Sequence, residues 1–242
     1  DALEQNKFIL YQQTIAPLSE GITEGCHYEI LLRLTDEKGE LVPPFIFLSA
    51  AERYNMIDKI DRWVIRNTFK WLSHHPKHVE KLGVCSINLS GKSVCDGALL
   101  DYIKEQFDEF KIPCHKICFE VTETMAVANI DVASVLIRSL REKGCKFALD
   151  DFGTGMASFG YLKTLPVDYL KIDGSFVKDM INDPIDSAMV GSINEIGHVM
   201  EKQTIAEFVE DDEIKAQLQK IGVDFAQGYG IAFPAPLENL AT

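Results

Sequence analysis

Three things are scarce or absent in this sequence. It has no Cys-x-x-Cys pair, few positive charges, and no apolar run near the roughly 20 residues a membrane-spanning helix needs. The 6 cysteines (Cys26, Cys85, Cys95, Cys114, Cys118 and Cys145) are scattered, several in strand-like apolar stretches where a free thiol is a small hydrophobe. Cys114-His115-x-x-Cys118 has no second half, so it too is expected to pack rather than bind zinc. The expected setting is a reducing cytoplasm, as a free protein or as the cytoplasmic part of a membrane-anchored one. With 24 Lys+Arg against 37 Asp+Glu, the net charge of -13 argues against nonspecific binding of a nucleic-acid polymer and against membrane contact by this domain itself. That field would also repel a phosphate-ester substrate unless bound cations inverted it locally. No signal-peptide pattern opens the chain, and neither does a Met. Residues 1–242 are expected to be a single domain cut from a longer, multidomain protein.

What is present is alternation. With 46% hydrophobic residues the chain can bury a large core. Apolar runs predict strands at 8–12, 26–34, 83–89, 116–122, 147–149, 167–172, 203–206 and 223–226. Helical spacing marks 45–54, 57–72, 98–110, 132–143, 186–200 and 211–220, with a shorter helix at 159–165. Residues 1–6 read as the tail of an entering helix, and 17–25 as a turn. One continuous run of about seven or eight such units predicts an α/β fold, a modified TIM-like (β/α)8 barrel. The first connection is too short for a helix, so the first strand is expected to pair antiparallel with the second.

Residues 146–155 hold the densest chemistry: a buried strand, then Asp150 and Asp151 side by side, then a Phe-Gly-Thr-Gly loop. A single Asp there reads most simply as a helix cap. Two adjacent acids at the mouth of a buried strand are tolerable beside a cation. In a parallel barrel the carboxyl ends of the strands open on one face, so polar residues there converge. They are Glu29, Asn88, Glu120, Asp150, Asp151, Lys171, Glu207 and Gln227, with Glu29 lying mid-strand. Each alone has a dull explanation, such as a cap, an ion pair or a surface lysine. Together they form an oxygen-donor set suited to Mg²⁺, Mn²⁺ or Ca²⁺ rather than zinc. The excess of carboxylates fits two ions about 3.5–4 Å apart, an arrangement that supports in-line phosphoryl displacement.

Seven motifs then appear in order: Glu29-Ile30-Leu31-Leu32-Arg33; Ile87-Asn88-Leu89-Ser90; Phe119-Glu120-Val121-Thr122-Glu123; Asp150-Asp151-Phe152-Gly153-Thr154-Gly155; Leu170-Lys171-Ile172-Asp173; Ala206-Glu207-Phe208-Val209-Glu210; and Gln227-Gly228-Tyr229. The set resembles the EAL-domain family of cyclic-di-GMP phosphodiesterases over residues 7 to 236. The resemblance implies two Mg²⁺ or Mn²⁺ ions, inhibition by Ca²⁺, and hydrolysis of cyclic-di-GMP to linear pGpG. It implies Glu29, Asn88, Glu120, Asp150, Asp151 and Glu207 as metal ligands. Lys171, Glu207 and Gln227 would be catalytic, with Lys171 positioning water and balancing charge. Gln12, Arg33 and Asp173 would contact substrate. Glu123 would anchor the loop that holds Phe152, Gly153, Thr154 and Gly155, a segment linked in the family to homodimer formation. Sensory or GGDEF domains are expected elsewhere in the full-length protein.

The chain departs from the family pattern at Ile30 for Ala, Gln13 for Pro, Phe208 for Gly, and Met156-Ala157 for Tyr-Ser. Ile30 is expected to point away from Glu29. Phe208 is expected to strain a backbone suited to glycine. Two other readings remain at this point: a receptor that binds cyclic-di-GMP without cutting it, and a Mg²⁺-dependent barrel lyase or isomerase. The receptor reading is disfavoured because no metal ligand is missing, and the lyase reading because it leaves the ordered motifs unexplained.

Overall fold

The computed structural model describes residues 7–19, 25–155 and 159–241. The expected helix tail at 1–6, most of the turn at 17–25, and Met156-Ala157 lie outside the described residues. Among the described residues ten strands form one sheet: β1 (Phe8–Pro17), β2 (Cys26–Thr35), β3 (Leu41–Val42), β4 (Leu82–Asn88), β5 (Ile117–Thr122), β6 (Lys146–Phe152), β7 (Tyr169–Ile172), β8 (Gln203–Ala206), β9 (Phe225–Ala226) and β10 (Ala235–Pro236). The first helices are α1 (Pro44–Arg53), α2 (Ile57–His74), α3 (Pro76–Lys81), α4 (Gly91–Val94) and α5 (Leu99–Phe110). Then come α6 (Glu123–Ala128), α7 (Ile130–Arg141), α8 (Gly174–Asp179), α9 (Pro184–Val199) and α10 (Asp212–Ile221).

Eight strands close into a barrel in the order β1-β2-β4-β5-β6-β7-β8-β9, with β9 returning to β1. Strand β1 runs antiparallel to both β2 and β9, and the other neighbours are parallel. The expected modified barrel is therefore the one that forms. Strand β1 is longer than its apolar run because Gln12, Gln13 and Thr14 continue the pairing with Ile30, Glu29 and Tyr28. The last strand is shorter than expected, and residues 159–163 form a 3-10 turn.

Helix ends follow local chemistry. Asp183 caps α9 by accepting from the Ile185 N–H, with Pro184 at the first helical position. Asp211 caps α10 by accepting from the Glu213 and Ile214 N–H groups, and left-handed Gly222 closes it.

Two apolar zones result from strand alternation. Outward residues such as Ile30, Ile87, Phe119, Phe147, Leu149, Leu170 and Ile172 meet the helices, including Ile65, Phe69 and Leu72 of α2. Each such side chain contributes about 1.5–3 kcal/mol when buried. Inward residues Ile15, Val84, Cys118, Ala148, Tyr169, Ile205 and Phe225 form a separate plug, on which the His27 ring stacks against Phe225. The plug closes one end of the barrel and leaves the other free for polar groups.

Candidate active site

Side chains two residues apart on a strand share a face. One step up from the plug, His27 leads to Glu29, Cys118 to Glu120, Ala148 to Asp150, Tyr169 to Lys171, Ile205 to Glu207 and Phe225 to Gln227. On β1, which runs the other way, Ile15 leads back to Gln13. A polar layer therefore sits directly on an apolar one, and its members need no sequence proximity.

At the centre is Lys171, 1% exposed. Its Nζ lies 2.6 Å from Glu120, 3.0 Å from Asp150, 3.0 Å from Glu207 and 3.4 Å from Glu29. Glu29 also accepts from Asn88 Nδ2 at 2.5 Å and from Gln227 Nε2 at 2.7 Å. Gln227 Nε2 lies 3.2 Å from Gln13 Oε1 as well. Burial would lower the Lys171 pKa, but Asp150, Glu120, Glu207 and Glu29 outweigh it and hold the ammonium well above its ordinary value. In the metal-free cup Lys171 is thus held as a positive charge.

One ammonium does not satisfy this many acids. Burial, aided by Glu29 and Asp150, pushes Glu120 up to about 8 despite Lys171. Glu207 is raised well above the carboxylate range by burial, with Asp150 and Glu29 adding to it. Burial also works to raise Glu29, but Lys171 and the hydrogen bonds from Gln227 and Asn88 reverse the sign and hold it low. Glu120 Oε1 and Gln227 Oε1 are buried and make no hydrogen bond. Such orphaned acceptors are costly unless something outside the protein meets them.

Asp151 joins the cup through a backbone irregularity. Strict alternation would send it outward, as it does Leu149. Between Leu149 and Phe152 the register of β6 against β7 slips, and Asp151 takes a left-handed φ of 53°. This bulge turns its carboxylate so that Asp150, Asp151 and Glu207 bring ligand atoms within 4.8 Å of one another. Burial, then Asp150 and Asp173, raise Asp151 to about 6. These residues fit divalent cations: hard oxygen donors, excess negative charge and unmet acceptors in one place.

Beside the cup opens a cleft of about 370 Å³ whose wall includes Gln13, Arg33, Phe208, Glu210 and Tyr229. The Arg33 guanidinium lies 5.4 Å from the Tyr11 ring centroid. A family model for the EAL domain matches residues 1–234. The chain belongs to the EAL domain family. Over 98% of its length it is 44% identical to a Shewanella oneidensis protein named cyclic di-GMP phosphodiesterase PdeB, of which it covers 28%. The FimX EAL domain of Pseudomonas aeruginosa, solved bound to c-di-GMP, matches with a TM-score of 0.89 and 33% identity, covering 97% of this chain and 93% of that one. The PaMucR phosphodiesterase in complex with c-di-GMP matches with a TM-score of 0.89 and 30% identity, covering 99% and 96%. The chain spans about a third of the length of the curated relatives it matches.

In this EAL domain the loop after Asp151 is tied down from α6. Buried Glu123 accepts from Gly153 N at 2.9 Å, Gly155 N at 3.4 Å and Tyr161 Oη at 2.6 Å. A Cβ on Gly155 would lie 2.8 Å from the Glu123 carboxylate, so this anchoring needs glycine there. Phe152 is fully buried and pairs with Ile172, and Thr154 Oγ1 donates to the Asp151 carbonyl at 3.0 Å.

The expected substrate residues are distributed differently. Arg33 lines the cleft. Gln12, which sits opposite Ile30, faces the outer core by alternation, whereas Gln13, opposite Glu29, is in the cleft wall. Asp173 caps α8 through the Ser175 N–H at 2.8 Å and stands beside Asp151. Gln13, expected at the substrate wall as a departure from the family's Pro, does line the cleft, and its place two residues before Ile15 on an inward face is the reason. Sequence reading missed Tyr161, whose only sequence cue is an aromatic in a short turn.

Proposed function

We propose that this EAL domain hydrolyses cyclic-di-GMP to linear pGpG with the help of two Mg²⁺ or Mn²⁺ ions. The observation that carries the reading is the cup itself. Four carboxylates surround one ammonium, a fifth, Asp151, joins Asp150 and Glu207 with ligand atoms within 4.8 Å of one another, and a buried Glu120 oxygen has no hydrogen-bond partner. Glu29, Asn88, Glu120, Asp150, Asp151 and Glu207 would hold the ions. When bound, such ions polarise phosphoryl oxygens and make water more acidic.

The chain's own groups divide the remaining work. Gln227, whose Oε1 is buried without a hydrogen-bond partner, would accept a hydrogen bond from the attacking water and help to orient it. Lys171 keeps its charge and offsets the negative charge that develops on the phosphate as the nucleophile adds. Arg33, on the cleft wall, offers bidentate donors to a phosphate or a guanine edge. One water is consumed: its oxygen bonds to phosphorus, the P–O3′ bond breaks, one of its protons ends on the 3′ oxygen and the other stays with the new phosphate monoester or passes to solvent. Ca²⁺, which prefers looser and more numerous ligands, should occupy the cup without supporting turnover. The names of relatives such as PdeB support the substrate. Dimer formation through the 152–159 loop, a cytoplasmic setting and attached sensory or GGDEF domains belong to the same reading. Among the described residues no helix is long and apolar enough to cross a membrane.

The test is incubation with cyclic-di-GMP and Mg²⁺ followed by chromatography. The expected product is pGpG, lost on chelation. Binding without product would make the domain a receptor instead.

A further inference from the structure

The buried face of α2 is apolar at Ile57, Ile60, Val64 and Ile65, with one carboxylate among them. Asp61 is 7% exposed, and among the described residues no cation pairs with it; Lys92 of α4 pairs instead with Asp58, one turn earlier, at 2.7 Å. A buried acid without a cation is costly unless hydrogen bonds meet it, and an apolar residue would pack the helix without that cost. What Asp61 holds is the exit of β4. Its Oδ2 accepts from the Ser90 N–H at 2.9 Å, and the Ser90 and Ser93 hydroxyls face it as well. Ser90 in turn accepts from the Ser93 N–H at 3.3 Å and caps α4. One residue earlier, the Leu89 N–H donates to the Glu120 carbonyl at 2.9 Å. The two N–H groups that follow Asn88 are thus clamped, one by the barrel wall and one by the helix layer. Glu120 and Lys171 lie inside their strands, where the ladder fixes them from both sides. Asn88 is the last residue of β4, so the direction of its side chain depends on the turn that follows. Its Nδ2 already donates to Glu29 at 2.5 Å, which leaves Oδ1 as the oxygen a cation would take.

We propose that Asp61 is a positioning residue: from the helix layer, without touching substrate or cation, it clamps the turn after β4 and so fixes the aim of Asn88 Oδ1 into the cup. The proposal rests on the two-metal phosphodiesterase reading above. Groups that orient a metal ligand from behind typically contribute about 10- to 100-fold to metal affinity or activity. The test is Mn²⁺ binding without substrate, read as the free-ion signal in electron paramagnetic resonance, beside the Mg²⁺ dependence of pGpG formation and a thermal melt of each variant. Asp61→Ala should weaken Mn²⁺ binding roughly 10- to 100-fold and raise the Mg²⁺ midpoint of turnover by a similar factor, with KM for cyclic-di-GMP little changed at saturating Mg²⁺. Asp61→Asn, which keeps an acceptor for the Ser90 N–H, should bind Mn²⁺ nearly as wild type does. Ile65→Val, which loosens the same helix one turn on, should melt lower yet keep wild-type Mn²⁺ affinity. Asp61→Ala added to Asn88→Ala should cause no further loss, because the residue it acts through is gone. Wild-type Mn²⁺ affinity in Asp61→Ala overturns the proposal and leaves the phosphodiesterase reading intact. So does an equal loss in Ile65→Val, or a full additive loss on the Asn88→Ala background, since either would make Asp61 a support of the fold alone. If Asp61→Asn falls as far as Asp61→Ala, the charge acts rather than the hydrogen bond, and the clamp is refuted. If wild type takes up no Mn²⁺, the two-metal reading falls and this one with it.

Discussion

Replacing Lys171 by methionine keeps a long apolar stem and removes only the ammonium, so Lys171→Met isolates the electrostatic balance of the cup. The wild-type Nζ has four carboxylate partners between 2.6 and 3.4 Å, in a site where Glu120 is 0% exposed. Removing one partner of a buried ion pair typically costs about 3–5 kcal/mol, because the other charge is left uncompensated. Here four acids lose the same cation. They relieve part of the loss by taking up protons, and Glu120, already raised to about 8, takes one most readily. The penalty should therefore be largest near pH 8 and smaller near pH 6. For a chain of this size each kcal/mol moves Tm by about 2–4 °C, so Lys171→Met in EDTA at pH 8 should melt roughly 6–20 °C below wild type. Mg²⁺ should recover most of that difference, since an ion bound only to the folded cup stabilises it by mass action. Turnover should stay low even with Mg²⁺, by about 10²- to 10³-fold in kcat, as for loss of one positioned charge-stabilising donor. Differential scanning calorimetry with and without EDTA, beside the pGpG assay, makes both measurements. Equal melting temperatures in EDTA at pH 8 would refute the claim that Lys171 neutralises the cup.

Three other outcomes are expected. In EDTA, wild-type Tm should fall as pH rises from about 5 to 8.5, because Asp151 and Glu120 have folded pKa values, about 6 and about 8, above their unfolded ones. The folded state then binds more protons, so stability present at low pH is lost through that window; a flat or rising Tm would contradict it. Glu29→Ala should abolish pGpG formation while freeing Asn88 and Gln227 from their shared acceptor, and full activity in that variant would mean the cup is not the site. Glu123→Ala should leave the Gly153 and Gly155 N–H groups and the Tyr161 hydroxyl without their acceptor, costing about 1–3 kcal/mol, and should speed proteolysis after Asp151 and cut turnover; a protease pattern identical to wild type would count against the anchor.

The barrel was legible because its strands are written as alternation between inward and outward sides. The inward set at strand ends, from Asn88 to Gln227, could be read off without contacts, since parallel strands open together. Two kinds of detail were not legible. The first is backbone conformation. Nothing in Asp150-Asp151 announces a bulge, yet only the slip in β6 brings the second acid to the first. The second is the direction of a polar strand segment. Gln12 and Gln13 are chemically alike, and which of them meets the cleft depends on pairing with Ile30 or Glu29 across an antiparallel edge. The extension of the strand to Pro17 was not legible for a related reason: Gln12, Gln13 and Thr14 in succession break the apolar rhythm that marks a strand.

Two departures from local rules sit beside the cup, while the other described non-glycine residues with positive φ, Asn55, Lys111 and Glu201, lie at helix ends. Two of the described non-glycine residues with positive φ are Asp151 and Phe208, each next in sequence to an acid of the cup and each at 53°. Asp151 follows Phe147, Ala148 and Leu149, all at 0% exposure, and Phe208 follows Ala206, also at 0%. Strained backbone and unbalanced charge persist only where the surroundings over-determine them. The plug and the outer shell supply that constraint, since neither can shift without opening cavities in a close-packed interior. The barrel can thus hold five acids closer together than they would choose. On the two-metal reading their repulsion would favour a bound cation over an empty cup, and relieving it by mutation, as in Glu120→Gln, should stabilise the metal-free fold while weakening Mg²⁺ binding.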